Sequence, residues 1–380
     1  MRFDRRELAG AVADLGVLVP IAVALIVKNG LSPTAVFLPA GLLYVVVAFL
    51  YRLPVPVQPL KAFGAIAIAK GLGADDIAAG ALLMGVVFFG AGRLGLIDLA
   101  GRAFPRSLIR GVQLTVGLLF LTIAWKLVTS PSKGFKDYAF EPRWAVPLAA
   151  AGVAIALLGR RFPVSLLLVG AGAVAMLATA GGDISFGPSG LDVPSWDAAT
   201  FWTALTLLVV PQVPLSFANS CLATADAARK YFGDAAERVR PGRLATSFGL
   251  ANFLSAAIGG MPVCHGAGGM TAHYAFGART GGAPLIMGAS LLTLAIGAGS
   301  GLAALLTAFP LPILAALLAT AGLLHIGLLA DLRGWRDWGL ALVVGTVGFE
   351  VNLTAGLAIG LALWWIPVGA LRLRGTLAPG

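Results

Sequence analysis

Apolar runs of about twenty residues, separated by short polar or charged clusters, recur from one end of the chain to the other. Crossing a hydrocarbon core roughly 30 Å thick takes about 20 apolar residues in helical conformation. On that measure the pattern predicts helices near 8–28, 32–51, 57–70, 75–93, 107–128, 143–158 and 162–180. A polar stretch without Lys or Arg, 181–199, precedes a second set near 200–224, 243–258, 263–276, 282–307, 310–330, 336–350 and 353–372. The reading is an all-α polytopic membrane protein of 14 transmembrane segments. Residues 1–180 form a first seven-helix repeat, 181–199 an extracytoplasmic linker and 200–380 a second repeat, with no separate soluble domain. Met1 to Arg6 offers no small-residue cleavage site, so the first run is expected to stay as a retained span.

Composition agrees with a lipid solvent. Of the 380 residues 58% are hydrophobic and 12% charged, with a mean hydropathy of +0.91. A soluble domain carries about 25% charged residues, because it must cover itself with polar side chains. Cys221 and Cys264 both lie in apolar segments and supply no disulfide framework. The net charge of +10 sits in clusters between the apolar runs, which fits a membrane topology and not a nucleic-acid surface.

Those clusters orient the chain. One side receives twenty basic residues, among them Arg2, Arg5, Arg6, Arg160, Arg161, Arg372 and Arg374. The other receives Lys28, Lys70, Lys126, Lys133, Lys136 and Arg143, which with Lys61 inside the membrane accounts for all 27. The positive-inside rule places both termini in the cytoplasm of a cell (inner or plasma) membrane protein. An even total made of two odd halves requires the halves to be inverted, a 7+7 inverted repeat.

Two spans are short and entered through proline. The first reads Pro54-Val55-Pro56-Val57-Gln58-Pro59-Leu60-Lys61; the second reads Gly260-Met261-Pro262-Val263-Cys264-His265-Gly266. Paired Gly/Pro-interrupted segments at corresponding positions point to a transporter's binding site. Proline lacks an amide donor and biases its predecessor to extended backbone, so each segment should begin as a strand and continue as a half-helix. Half-helix N-termini present free N–H groups and partial positive charge, which favours an anion. Lys61, one turn in, adds a full charge, and a Lys at the bilayer centre costs about 2.5–3.5 kcal/mol on insertion scales. The plainer reading is that Lys61 snorkels or pairs with a carboxylate such as Asp14 or Glu350.

Further polar residues accompany these segments. Asp14 lies on the first span, and Pro211-Gln212-Val213-Pro214 and Asn219 lie on the eighth. Gln212 and Asn219 share a helix face if the prolines do not rotate it. Both also suit interhelical hydrogen bonding, worth about 0.6 kcal/mol each in membranes; Gln113 on the fifth span is expected to be structural. His265 either contacts the anion or satisfies a buried carbonyl. A metal site at Cys264-His265 lacks the further ligands a tetrahedron needs. Gly266, Gly268 and Gly269 lack the strand and Lys-Ser/Thr partner of a phosphate loop. No nucleophile or acid–base set converges, so no enzyme and no cofactor are expected.

At these residues the chain resembles the molybdate transporter family, relatives of the sulfate permeases. The resemblance is carried by Asp14-Leu15-Gly16, Pro56-Val57-Gln58-Pro59-Leu60-Lys61, Pro105-Arg106 with Arg110-Gly111-Val112-Gln113-Leu114, and Pro211-Gln212-Val213-Pro214-Leu215 with Asn219. Most specific are Pro262-Val263-Cys264-His265-Gly266-Ala267-Gly268-Gly269 and Phe276-Gly277-Ala278-Arg279-Thr280-Gly281-Gly282. It implies a seven-plus-seven fold with core and gate domains, shared with sulfate permeases and nucleobase–ascorbate carriers. It also implies a tetrahedral oxyanion, molybdate, held between the third and tenth helices. The chain's end at Gly380 leads to the expectation that the sulfate permeases' cytoplasmic regulatory domain is missing. The expected function is a secondary active transporter working by alternating access. Its substrate site would comprise Val57, Gln58, Lys61, Gln212, Asn219, Val263, Cys264 and His265, and Asp14 would be the candidate for proton coupling. A sulfate transporter, a nucleobase carrier or an anion channel of the same fold are the alternatives. The pocket lacks the central carboxylate on the tenth span that a nucleobase would want. A co-transported proton or cation and a second copy of the chain are the remaining candidate partners, alongside the lipid bilayer.

Overall fold

The computed structural model describes residues 1–131, 135, 139–158, 164–179 and 185–373, with side chains to 366. Lys133, Lys136, Arg160, Arg161 and Arg374 of the charge count lie outside the described residues, as do the Arg372 side chain and positions 181–184 of the expected linker. The described residues are 79% helical. Among the described residues, six helices are long and apolar enough to cross a membrane: Arg5–Asn29, Pro33–Tyr51, Ala74–Arg93, Arg106–Thr129, Ala198–Arg238 and Leu311–Asp331. Shorter apolar helices cover Pro142–Leu158, Val164–Thr179 and Gly282–Gly297, and Pro241–Ala257, Trp335–Glu350 and Leu353–Leu373 complete the long elements.

Three expectations need adjusting. The run 282–307 is two helices, Gly282–Gly297 and Leu302–Thr307, because Gly299, Ser300 and Gly301 interrupt it where the chain turns. Such residues pass a hydropathy reading but weaken a helix by about 1 kcal/mol each for glycine. The eighth span runs past 224, its helical rod continuing through Thr224–Phe232 and a 3₁₀ stretch, Gly233–Arg238. It also contains two π-helical segments, Ala204–Val209 and Ser216–Ala223, flanking the Pro211/Pro214 pair. Proline withholds an i→i−4 bond, and a wider turn absorbs the mismatch.

Helices pack as pairs distant in sequence. Ala74–Arg93 lies against Pro241–Ala257, Pro33–Tyr51 against Gly282–Gly297, and Arg106–Thr129 against both Leu311–Ile326 and Trp335–Glu350. Lipid offers no hydrophobic drive for such pairing, so small residues that let backbones close on each other carry it. At the first seam a Cβ on Gly249 would stand 2.5 Å from the Phe89 amide nitrogen, a distance no side chain tolerates.

Both short segments take the expected form. Gln58–Pro59 is strand β1 and Val263–Cys264 is strand β2, and they pair antiparallel with Gln58 opposite Cys264 and Pro59 opposite Val263. Each strand leads into a half-helix, Lys61–Lys70 and Ala267–Ala275. Both strands are wholly enclosed by protein, the condition for extended backbone at membrane depth.

Candidate functional site

The ladder is held from behind by side chains whose partners are far away in sequence. Asn252 clamps Val263, donating Nδ2 to its carbonyl at 3.0 Å and accepting its N–H at 2.8 Å. Leu60 donates its N–H to Pro262 O at 3.2 Å, extending the pairing by one bond. His265 sits behind the ladder, with Nδ1 2.8 Å from Pro56 O and Nε2 2.8 Å from Ser247 Oγ. A carbonyl can only accept, so Nδ1 carries a proton. Tyr51 joins at 2.7 Å from Ser247 Oγ, and its hydroxyl reaches Arg243 O at 2.9 Å. The His265 carbonyl accepts from Thr224 Oγ1 at 2.9 Å. Of the two readings of His265, the buried-carbonyl one matches this geometry, and both ring nitrogens are occupied.

The two half-helices begin at one place. Gly266 caps the second, and a Cβ there would collide with Gln58 Oε1 and stand 2.9 Å from Lys61 Nζ. At Gly269 a Cβ would meet Gln58 Nε2 at 2.7 Å and Asp14 Oδ2 at 3.0 Å. Only a bare backbone lets the start of Ala267–Ala275 press against these three side chains. Lys61 is buried at 8% exposure, with Nζ donating to Gln58 Oε1 at 2.7 Å and lying 5.5 Å from the Phe120 ring centroid. Gln58 passes the polarity on by donating Nε2 to Asp14 Oδ1, and the Tyr44 hydroxyl donates to Asp14 Oδ2 at 3.3 Å. Asp14 belongs to a single 3₁₀ turn, Val12–Asp14, that interrupts the first span. Lys61 thus faces Asp14 through an amide; its bond is to Gln58, while Glu350 is exposed at the end of its helix.

The remaining candidates divide. Gln212 accepts the Phe63 N–H at 2.9 Å and donates to Ser216 Oγ at 2.9 Å, so it caps the first half-helix. Asn219 and Ser220 are buried on the π-helical segment, and among the described residues Asn219 Oδ1 and Ser220 Oγ have no hydrogen-bond partner. Asn219 lies in the π-helical segment Ser216–Ala223 and Gln212 in the α-helical turns before it. Cys264 is buried with Sγ 3.9 Å from Pro59 O, and Val57 and Val263 are fully enclosed. The structure therefore brings Asp14, Gln58 and Lys61 together at the glycines of the second half-helix, with Gln212 attached through Phe63. Tyr44, Tyr51, Ser247 and Asn252 escaped the sequence reading. Tyr44 and Tyr51 stand two turns apart on one face of an otherwise apolar span, a pattern that marks them.

A second polar cluster lies at one end of the bundle. Arg110, fully enclosed, grips Asp331 with two bonds, Nε to Oδ1 at 2.9 Å and Nη2 to Oδ2 at 2.7 Å, and also pairs with Asp226. Arg106 and Lys230 each reach Asp331 Oδ2 at 2.8 Å. Gln113 accepts from Arg110 at 2.8 Å and donates to Asp226 at 3.3 Å, the structural part expected of it.

Comparison with known proteins follows the same lines. A family model described as "Molybdate transporter of MFS superfamily" matches residues 6–120 and 204–324. Molybdate transporter 1 of Arabidopsis thaliana is 29% identical, the match covering 94% of this chain and 87% of that protein. Molybdate transporter 1 of Chlamydomonas reinhardtii is also 29% identical, over 93% and 90%. Among solved structures, the transmembrane domain of the cyanobacterial bicarbonate transporter BicA superposes with a TM-score of 0.60 at 19% identity, covering 94% of this chain and 98% of that one. SLC26A9 gives 0.58 at 18%, covering 96% and 65%. The fold is therefore that of the SLC26/sulfate permease group, as the resemblance implied, although the family's description carries the MFS label.

Proposed function

Because the chain belongs to the molybdate transporter family, we propose that it is a secondary active transporter carrying a tetrahedral oxyanion, most specifically molybdate, by alternating access. It is a multi-pass membrane protein with an anion-transporter fold. One observation carries the substrate-site reading: the two half-helix starts converge on Lys61 Nζ, the cation of an otherwise enclosed polar group. An arriving oxyanion takes the place of Gln58 Oε1 as the acceptor for Lys61 and gains the first-turn N–H groups of both half-helices. Gln58 is the flexible polar group beside it, and Asn219, buried with Oδ1 unpartnered among the described residues, is the further candidate ligand. Val57, Val263, Cys264 and His265 fix the ladder's position, and Gln212 holds the first half-helix in place. Asp14, released from Gln58 when the anion binds, is the group proposed to take a proton. A proton offsets part of the anion's charge against an inside-negative potential, about 2.3 kcal/mol per charge per 100 mV.

The architecture proposed with this function has fourteen segments in two inverted repeats of seven, 1–180 and 200–380, joined outside the cytoplasm by 181–199. Both termini are cytoplasmic in the cell membrane. The correspondence of β1 and its half-helix to β2 and its half-helix supports the repeat.

The test is calorimetric titration of the purified protein with molybdate, sulfate and uracil, then molybdate again with Lys61→Ala. The expected result is saturable molybdate binding that weakens at least tenfold in the variant. Tighter sulfate binding would reassign the substrate within the same site, and uracil binding without oxyanion binding would overturn the anion reading.

A further inference from the structure

A cavity of about 1270 Å³ opens between Pro33–Tyr51 and Pro241–Ala257. It exceeds the roughly 300–1,000 Å³ of sites for drug-sized ligands. Its chemistry changes along its length. The Tyr51 hydroxyl meets Arg243 O and the Ser247 side chain, so the end of one helix lies beside the start of the other. At that end stand Arg93, Arg238, Arg240 and Arg243, all exposed. From there the walls are apolar, with Phe49, Val46 and Leu250 at 58%, 50% and 58% exposure and Phe253 and Leu254 farther in.

Length and charge together suggest the occupant. From Arg243 to Leu254 at 1.5 Å per residue the apolar wall is about 16 Å long, close to half of a roughly 30 Å hydrocarbon core. That is one leaflet. At the mouth, four guanidinium groups face a single lining carboxylate, Asp98, which is engaged by the Gly242 N–H at 3.1 Å. Arg240 also pairs with Glu237 at 3.1 Å. Among the described residues, Arg93, Arg238 and Arg243 form no ion pair within 4 Å. An ordinary lipid-facing surface has neither the concavity nor an unneutralised guanidinium cluster at one leaflet's edge.

We propose that this cavity seats one anionic phospholipid, its phosphate held by Arg93 and Arg243 with Arg238 and Arg240 around it, and its acyl chains along Val46, Phe49 and Leu250. Guanidinium groups bind phosphate oxygens in a bidentate fork, and basic pockets at a membrane's edge select anionic headgroups. The occupied face is the outer side of the Pro33–Tyr51 and Pro241–Ala257 contact, directly behind the Tyr51–Ser247–His265 chain that backs the strand ladder. A bound lipid therefore stiffens the helices on which the ladder rests. The proposal is independent of the transported substrate.

The experiment is native mass spectrometry of the delipidated full chain in neutral detergent. Phosphatidylglycerol and phosphatidylcholine with identical acyl chains are titrated in turn. The expected result is one phosphatidylglycerol retained at collision energies that strip phosphatidylcholine. Retention should fall at least tenfold in Arg93→Gln/Arg243→Gln and largely recover in Arg93→Lys/Arg243→Lys. Excess glycerol phosphate should not displace the lipid. Equal retention of the two lipids by the wild-type chain overturns the proposal without any variant. So does unchanged retention in a monodisperse Gln pair variant, or displacement by glycerol phosphate, which would mark a soluble-anion site.

Discussion

Asp331 should be far more costly to neutralise than Asp226, although both pair with the same arginine. Asp331→Asn removes the carboxylate that receives two bonds from the fully enclosed Arg110 and one each from Arg106 and Lys230. Removing one partner of a buried pair costs about 3–5 kcal/mol. The Asp331 side chain is 13% exposed, so the lower end of that range applies, about 3 kcal/mol. Arg106 and Lys230 are 59% and 38% exposed, and solvent screening limits each to roughly 0–1 kcal/mol. Asp226→Asn is milder, because Arg110 keeps its two-bond grip on Asp331 and the Asn oxygen still accepts. The loss is one charge-assisted bond partly replaced, about 1 kcal/mol. At about 2 °C per kcal/mol for a large chain, the melting temperature should fall by about 6 °C for Asp331→Asn and about 2 °C for Asp226→Asn. Tryptophan-fluorescence thermal scans of the purified variants in one detergent read both numbers. Equal shifts, or a larger shift for Asp226→Asn, would refute the assignment of Asp331 as the hub.

Other consequences are sharper for the site than for stability. Gly266→Ala should weaken molybdate binding at least tenfold in calorimetric titration while the protein stays monodisperse, because the added methyl displaces Gln58 Oε1 and crowds Lys61 Nζ. Ser247→Ala strips His265 Nε2 of its partner in a buried setting and should cost about 1–3 kcal/mol, read as a lower melting temperature. Tyr51→Phe, which leaves that bond intact, should cost less. Gly249→Leu should abolish recovery of monodisperse protein in size-exclusion chromatography, since the Phe89 backbone occupies the space its side chain needs.

Most of the spans were legible because a membrane imposes one simple requirement, a long apolar helix, and the chain satisfies it with runs that hydropathy alone detects. The two half-helices were legible for the opposite reason: Pro56 and Pro262 break the requirement in a way only a protein-lined interior permits. Legibility ended where local patterns are silent about partners. Nothing near Gln212 announces that its amide caps Phe63, and nothing near His265 selects Pro56 O over a ligand. Gln212 and Asn219 share one face only if the prolines leave the helix unrotated, and the two π-helical segments flanking those prolines change the angular step per residue, which sequence alone does not announce. The break after Gly297 was missed because Gly299 to Gly301 are as compatible with a lipid-facing helix as with a turn.

If the chain works as the proposed carrier, the pairing of β1 with β2 has a consequence for how it tells anions apart. Backbone bonds stitch the entrances of the two half-helices into a single splint, with Asn252 as a pin through one side. The gap between those entrances therefore cannot be widened or narrowed to suit a larger or smaller guest without tearing the stitching. On the proposed site, size selection would fall to the reach of Lys61 and Gln58, which adjust by rotamer while the frame stays fixed. For the proposed carrier, exchanging one tetrahedral guest for another would then be a question of side-chain length, which evolution can retune without touching the fold.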